Sequence, residues 1–264
     1  MTPLSVFDDL VLLLFGLCVG SFLNVCIHRF LRGESIITPR SYCPACKKQI
    51  AWYDNIPLVS FIILGAKCRQ CGASISPRYF FIELLTALSF IGSIHYFGWT
   101  AEGASSIVFL TILLGASAAD LEERIIPDEM SLSGILLGLL FSFTFPSLHL
   151  EEKHWLGLLQ SFLGMLAGGG LIYAIGIFGE MVFKKESMGG GDVKLMAMMG
   201  AFLGWKSVVM VFFLAPIIAL PIGLYVKYLK KEDYIPYGPF LSLAGVIVLF
   251  FGDFLFRFFF PAPY

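Results

Sequence analysis

The chain has 264 residues, of which 58% are hydrophobic, 16% aromatic and only 14% charged, with a formal net charge of −1. Soluble domains carry roughly 25% charged residues, so a water-soluble globular enzyme is excluded, and a near-neutral chain offers no electrostatic footprint for nucleic acid. The class that remains is an all-α polytopic membrane protein.

Runs near the ~20 apolar residues that cross a bilayer predict about eight transmembrane helices, at 7–27, 80–98, 104–119, 131–148, 155–179, 193–205, 207–227 and 238–259. The third and sixth are short, which suits helices that stop early to present a polar residue in a watery recess. Met1 to Asp9 is acidic where a secretory signal would be basic, so the first apolar run reads as a retained span. The chain then divides into a first span at 1–28, a cytoplasmic domain at 29–79 and a transmembrane core at 80–264.

The polar stretch from Arg29 to Tyr79 carries Cys43-Pro44-Ala45-Cys46 and Cys68-Arg69-Gln70-Cys71. Two CxxC pairs point to a four-thiolate zinc site, each pair offering a chelating turn to a tetrahedral ion. The gap of 21 residues between the pairs is slightly long for such sites, and redox thiols are the alternative. With Cys at all four positions no coordination site stays open for a catalytic water, so the zinc would be structural. It would supply folding free energy to a segment too small for a core of its own. Cys18 and Cys26 lie in the first span and read as small apolar residues.

Basic residues set the orientation, because loops rich in Lys and Arg stay cytoplasmic. With the N-terminus outside, Arg29, Arg32, Arg40, Lys47, Lys48, Lys67, Arg69, Arg78, Arg124, Lys184, Lys185, Lys227, Lys230 and Lys231 all fall on the cytoplasmic side. Lys153, Lys206 and Arg257 fall on the other, and Lys194 lies inside a span.

In this frame two aspartates stand at the cytoplasmic boundary. Asp120 closes the apolar stretch Ser106 to Ala119, and Asp192 follows Gly189-Gly190-Gly191 at the mouth of another span. An ionisable side chain at such a depth is expensive and marks function. Two neighbouring carboxylates share a proton and split into one acid and one base, the arrangement that hydrolyses peptide bonds with an activated water. The bland alternatives are a helix-end residue facing head groups for Asp120 and an N-cap meeting its own helix dipole for Asp192. The glycines shift the balance by permitting close backbone approach. Lys194 either holds a carboxylate ionised or snorkels, and Gly189, Gly191 and Lys194 are the supporting loop. Asp128, after Pro127, reads first as an N-cap and second as the alternative catalytic carboxylate. Asp8, Asp9, Asp54, Asp233 and Asp253 sit in termini, loops or a span end, and Gly168-Gly169-Gly170 reads as close helix packing.

Ordered motifs run along nearly the whole chain: Gly20-Ser21-Phe22-Leu23-Asn24-Val25 with His28-Arg29, the two CxxC pairs, Asp54-Asn55-Ile56-Pro57 with Leu58, Ser76-Pro77-Arg78-Tyr79 with Glu83, Asp120 with Ile126-Pro127-Asp128, Gly189 to Leu195, and Ile235-Pro236-Tyr237-Gly238-Pro239. In these the chain resembles the type IV prepilin peptidases, bifunctional leader peptidases and N-methyltransferases of type IV pilus and type II secretion systems. The resemblance implies a GxGD aspartyl endopeptidase, with the motif on Gly189 to Asp192 and the second catalytic aspartate at Asp120. It implies prepilin or pseudopilin substrates whose basic leader ends in Gly, processing at the cytoplasmic face of the bacterial inner membrane, and S-adenosylmethionine as methyl donor. The donor-binding residues are unassigned, with Glu83 and Asn55 the candidates near the interface. One family Gly before the third cysteine is Ala66 here, a departure that bears on methyl transfer and not on proteolysis. The competing readings are a proton-coupled transporter using the Asp pair, a zinc-bearing scaffold, and a peptidase without methyltransferase activity.

Overall fold

The computed structural model describes residues 5–184, 188–230 and 235–259; Met1 to Leu4, Lys185, Lys231 and Asp233, which entered the sequence reading, lie outside the described residues. Among these the chain is helical, with two isolated antiparallel bridges, and it divides into two compact units, Met1–Ala119 and Asp120–Tyr264. It is an all-α polytopic membrane protein.

The first unit is built on α1 (Val6–Phe30) and α3 (Pro77–Phe97), joined by a cysteine-bearing segment that contains the short α2 (Val59–Ile63). The acidic start of the chain begins α1: the Ser5 hydroxyl accepts the Asp8 N–H while the Asp8 carboxylate accepts the Ser5 N–H, a reciprocal cap that satisfies two orphan donors. Ser76 caps α3, with Pro77 in the first position, where its fixed φ suits a helix start. A Cβ on Gly16 would stand 2.6 Å from the Ala87 Cα, one on Gly20 2.7 Å from the Glu83 Cα, and the Asn24 side chain donates to the Tyr79 carbonyl at 3.1 Å. Residues four apart on α1 thus meet residues four apart, in reverse order, on α3. Small residues let the two backbones approach, the packing open to helices in lipid, where no hydrophobic drive draws them together.

α4 (Ala101–Glu123) straddles the division, and the second unit adds α5 (Asp128–Thr144), α6 (His154–Phe183), α7 (Gly190–Tyr225) and α8 (Gly238–Phe259). Six of the described helices are long and apolar enough to cross a membrane, and α5, with 17 residues, is shorter than these. The expected sixth and seventh spans are the two halves of α7, broken at Gly204, where φ 78° and ψ 170° leave the helical region. Near this break the Ala201 carbonyl accepts from Ser161 at 2.6 Å and Ser142 at 3.4 Å, so the irregular backbone is satisfied inside the protein. The expected short third span is instead a helix of 23 residues, with Asp120 in its last turn rather than beyond its end. Side chains at Gly164 or Gly168 on α6, or at Gly200 on α7, would run into the facing backbone, so the expected close packing is found at Gly168 and, against Ala197, at Gly169, while Gly170 faces open space.

Candidate functional site

The cysteine segment of the first unit is two copies of one turn. In the first, the Cys43 N–H donates to the Lys48 carbonyl and Lys47 N–H returns to Cys43; in the second, Cys68 N–H donates to Ala73 and Gly72 N–H returns to Cys68. The fourth residue after each leading cysteine, Lys47 (φ 58°) and Gly72 (φ 71°), takes the left-handed conformation that closes the turn. The sulfurs of Cys43, Cys46, Cys68 and Cys71 lie within 4.8 Å of one another, with 3.9 Å between Cys43 and Cys71. A tetrahedral ion with sulfurs at ~2.3 Å spaces them about 3.8 Å apart, so the four sulfurs fit a single metal ion. Backbone N–H groups of Cys71 and Gln70 lower the Cys68 thiol, while the neighbouring Cys71 is shifted upward, so one of the two gives up its proton before the other. Asp54 pairs with Arg69, between the second pair of cysteines, at 2.7 Å, which holds its carboxyl below the usual range. Leu58, four residues on, donates its N–H to the buried Glu83 carboxylate at 2.8 Å. Ala66, at the position where the sequence resemblance expects Gly, has φ 57°, a left-handed conformation that a glycine adopts without strain.

The second unit brings Asp120 and Asp192 together. Asp120, 6% exposed, accepts the Gly238 N–H at 2.8 Å. Asp192, 8% exposed, sits in the first turn of α7 and folds back toward its N-cap residue Gly189, accepting that residue's N–H. The two carboxylates are within electrostatic reach of each other. Tyr237 faces the same spot: burial and the neighbouring Asp192 push its phenol up to about 12. Ile126 closes the corner, because a Cβ on Gly191 would meet its Cβ at 3.1 Å and one on Gly238 would meet its Cδ1 at the same distance.

The three glycines before Asp192 stand in three different surroundings. Gly189 leaves room for the Asp192 carboxylate, Gly190 faces open space, and Gly191 permits contact with Ile126; none has positive φ, so close approach at Gly189 and Gly191, and not conformational freedom, is what the motif supplies. Lys194 binds a carboxylate, but that of Asp128 and not one of the pair: its Nζ donates to both oxygens, at 2.6 and 2.7 Å, in an exposed ion pair. Asp128 is not the N-cap expected for it, since Pro127 occupies that position, and it lies in the first turn of α5. Sequence reasoning assigned no role to Ile126, Tyr237 or Gly238, although the Gly-Pro step that opens α8 was visible in the motif.

The bacterial Peptidase A24 N-terminal domain model matches residues 14–97 and the type IV leader peptidase family model matches residues 107–224. The chain is 39% identical to a prepilin leader peptidase/N-methyltransferase of Myxococcus xanthus, over 81% of this chain and 61% of that protein. It is 32% identical to the protein of the same description from Stutzerimonas stutzeri, over 91% of this chain and 90% of the relative, and 31% identical to that of Legionella pneumophila, over 94% and 92%. No solved structure matches it significantly. With the N-terminal domain model and the type IV leader peptidase model matched in order, and two of these relatives aligned along 90% and 92% of their length, the chain belongs to the type IV leader peptidase family.

Proposed function

We propose that the chain is a membrane aspartyl endopeptidase that removes the basic leader of type IV prepilins or pseudopilins after Gly and then N-methylates the new N-terminus. The observation that carries the first half is the meeting of Asp120 and Asp192 in one buried corner, each held by a backbone N–H. Two carboxylates in such a place cannot both ionise at low cost, so one activates water while the other donates a proton to the scissile carbonyl and then to the leaving amine. Similarity to prepilin leader peptidase/N-methyltransferases supports both activities and lends no support to a transporter.

The basic-residue asymmetry of the sequence supports a site at the cytoplasmic face of the bacterial inner membrane, where anionic head groups draw the leader while the substrate's apolar helix stays in the bilayer. Zinc in the cysteine cluster organises the domain at 29–79, and S-adenosylmethionine is the methyl donor. The direct test is mass spectrometry of a prepilin-like peptide incubated with the detergent-solubilised chain and with Asp120→Asn and Asp192→Asn. Cleavage after Gly by the intact chain alone, with a methyl-sized increase when the donor is added, is the expected result. Equal cleavage by all three would overturn the dyad.

A further inference from the structure

The first unit contains a cavity of about 340 Å³, within the range of small-molecule sites. Its lining draws on motifs that the dyad does not use: Ser21, Phe22 and Arg29 from α1, Arg40 and Ser41 before the first cysteine pair, and Asn55 from the Asp-Asn-Ile-Pro run. Arg29 is 4% exposed and its guanidinium donates to the carbonyls of Ser35 and Pro39. Among the described residues no carboxylate lies at ion-pair distance from it. A buried charge without a counter-charge is costly, and the planar fork of Arg suits a carboxylate. Arg40 adds a second positive charge to the lining, and Phe22 an aromatic ring. Behind Ser21 lies the buried Glu83 carboxylate, which also receives the Leu58 N–H. The cavity thus brings together two arginines and an aromatic ring, with a carboxylate behind Ser21.

Resting on the methyl-transfer half of the reading above, we propose that this cavity is the methyl-donor site, with Arg29 and Arg40 holding the donor's amino-acid carboxylate and Phe22 meeting its purine. Asn55 and Ser41, also in the lining, bond the ribose. The donor's ammonium and sulfonium charges fall on the side of Glu83.

The test is calorimetric titration of S-adenosylhomocysteine into the full metal-loaded chain in neutral-lipid nanodiscs, for the parent and for Arg29→Ala, Arg40→Glu and Asn55→Ala. Melting temperature and bound metal check the fold of each. Binding by the parent that weakens at least about tenfold in Arg40→Glu, the scale of one charge-assisted hydrogen bond, supports the site even if Arg29→Ala does not fold. Binding unchanged in Arg40→Glu and Asn55→Ala overturns the cavity while leaving methyl transfer standing. No binding to the parent at saturating probe removes the methyl-transfer reading and the cavity with it. Loss of probe binding when phosphatidylglycerol replaces neutral lipid would assign the two arginines to a lipid phosphate and overturn the proposal.

Discussion

In the second unit the polar site is carried by the ends of long helices, whose backbones are already fixed by glycine contacts such as Gly164 against Gly200. In the first, the cysteines sit on two loop turns between helices, tied to their surroundings by a few side-chain bonds such as Arg69 to Asp54 and Leu58 to Glu83. The contrast teaches where each site is fragile. Carboxylates held by helix ends tolerate almost no added volume, whereas loops without a core depend on whatever the cysteines bind.

The largest effect should come from the carboxylates themselves. Asn in place of Asp120 or Asp192 keeps the shape and removes an acid or base, and leader cleavage should fall about 10³-fold; residual activity within tenfold of the parent would mean that the corner in the second unit is not where the chemistry occurs. Next comes Gly238→Ala, whose Cβ would stand 2.8 Å from the Asp120 carboxylate oxygen. Displacing that carboxylate should cost roughly 100-fold in turnover, while Gly190→Ala, which meets nothing within 4 Å, should leave turnover near the parent value. Equal losses at the two glycines would show that volume is not what matters there.

Metal removal probes the other half of the contrast. A chelator should open residues 31–76 to limited proteolysis and lower the melting temperature, because structural zinc contributes on the order of 10 kcal/mol in isolated metal-dependent folds. Leader cleavage by the second unit should persist, and parallel loss of both would sink the idea that the sites are stabilised separately. Ala66→Gly relieves a left-handed alanine and should raise the stability of the metal-bound segment by about 1 kcal/mol, read from the denaturant midpoint of metal release. The smallest effect should be Lys194→Ala: its ion pair with Asp128 is exposed, and such pairs contribute under about 1 kcal/mol. A loss of cleavage as large as that of Gly238→Ala would give Lys194 a role beyond that pair.

Much of this was legible in the chain because it is local. Apolar runs marked the helices, CxxC spacing marked the four sulfurs, and the position of each aspartate at the end of a run marked Asp120 and Asp192. The reading failed where local signals are silent. Hydropathy places two spans at 193–205 and 207–227 but cannot show that they meet at a single non-helical residue, Gly204, with no loop between them. It also could not see that Lys194 reaches Asp128, because the two lie 66 positions apart.

The sequence by itself determined the membrane class, the candidate thiols and the two carboxylates, since each depends on residues adjacent along the chain. Only the tertiary structure decided that Gly238, Tyr237 and Ile126 enclose those carboxylates and that Arg29 lines a cavity with no carboxylate at ion-pair distance among the described residues. Both facts depend on how closely backbones approach, and that is set by glycines on facing helices and by hydrogen bonds between residues distant in sequence.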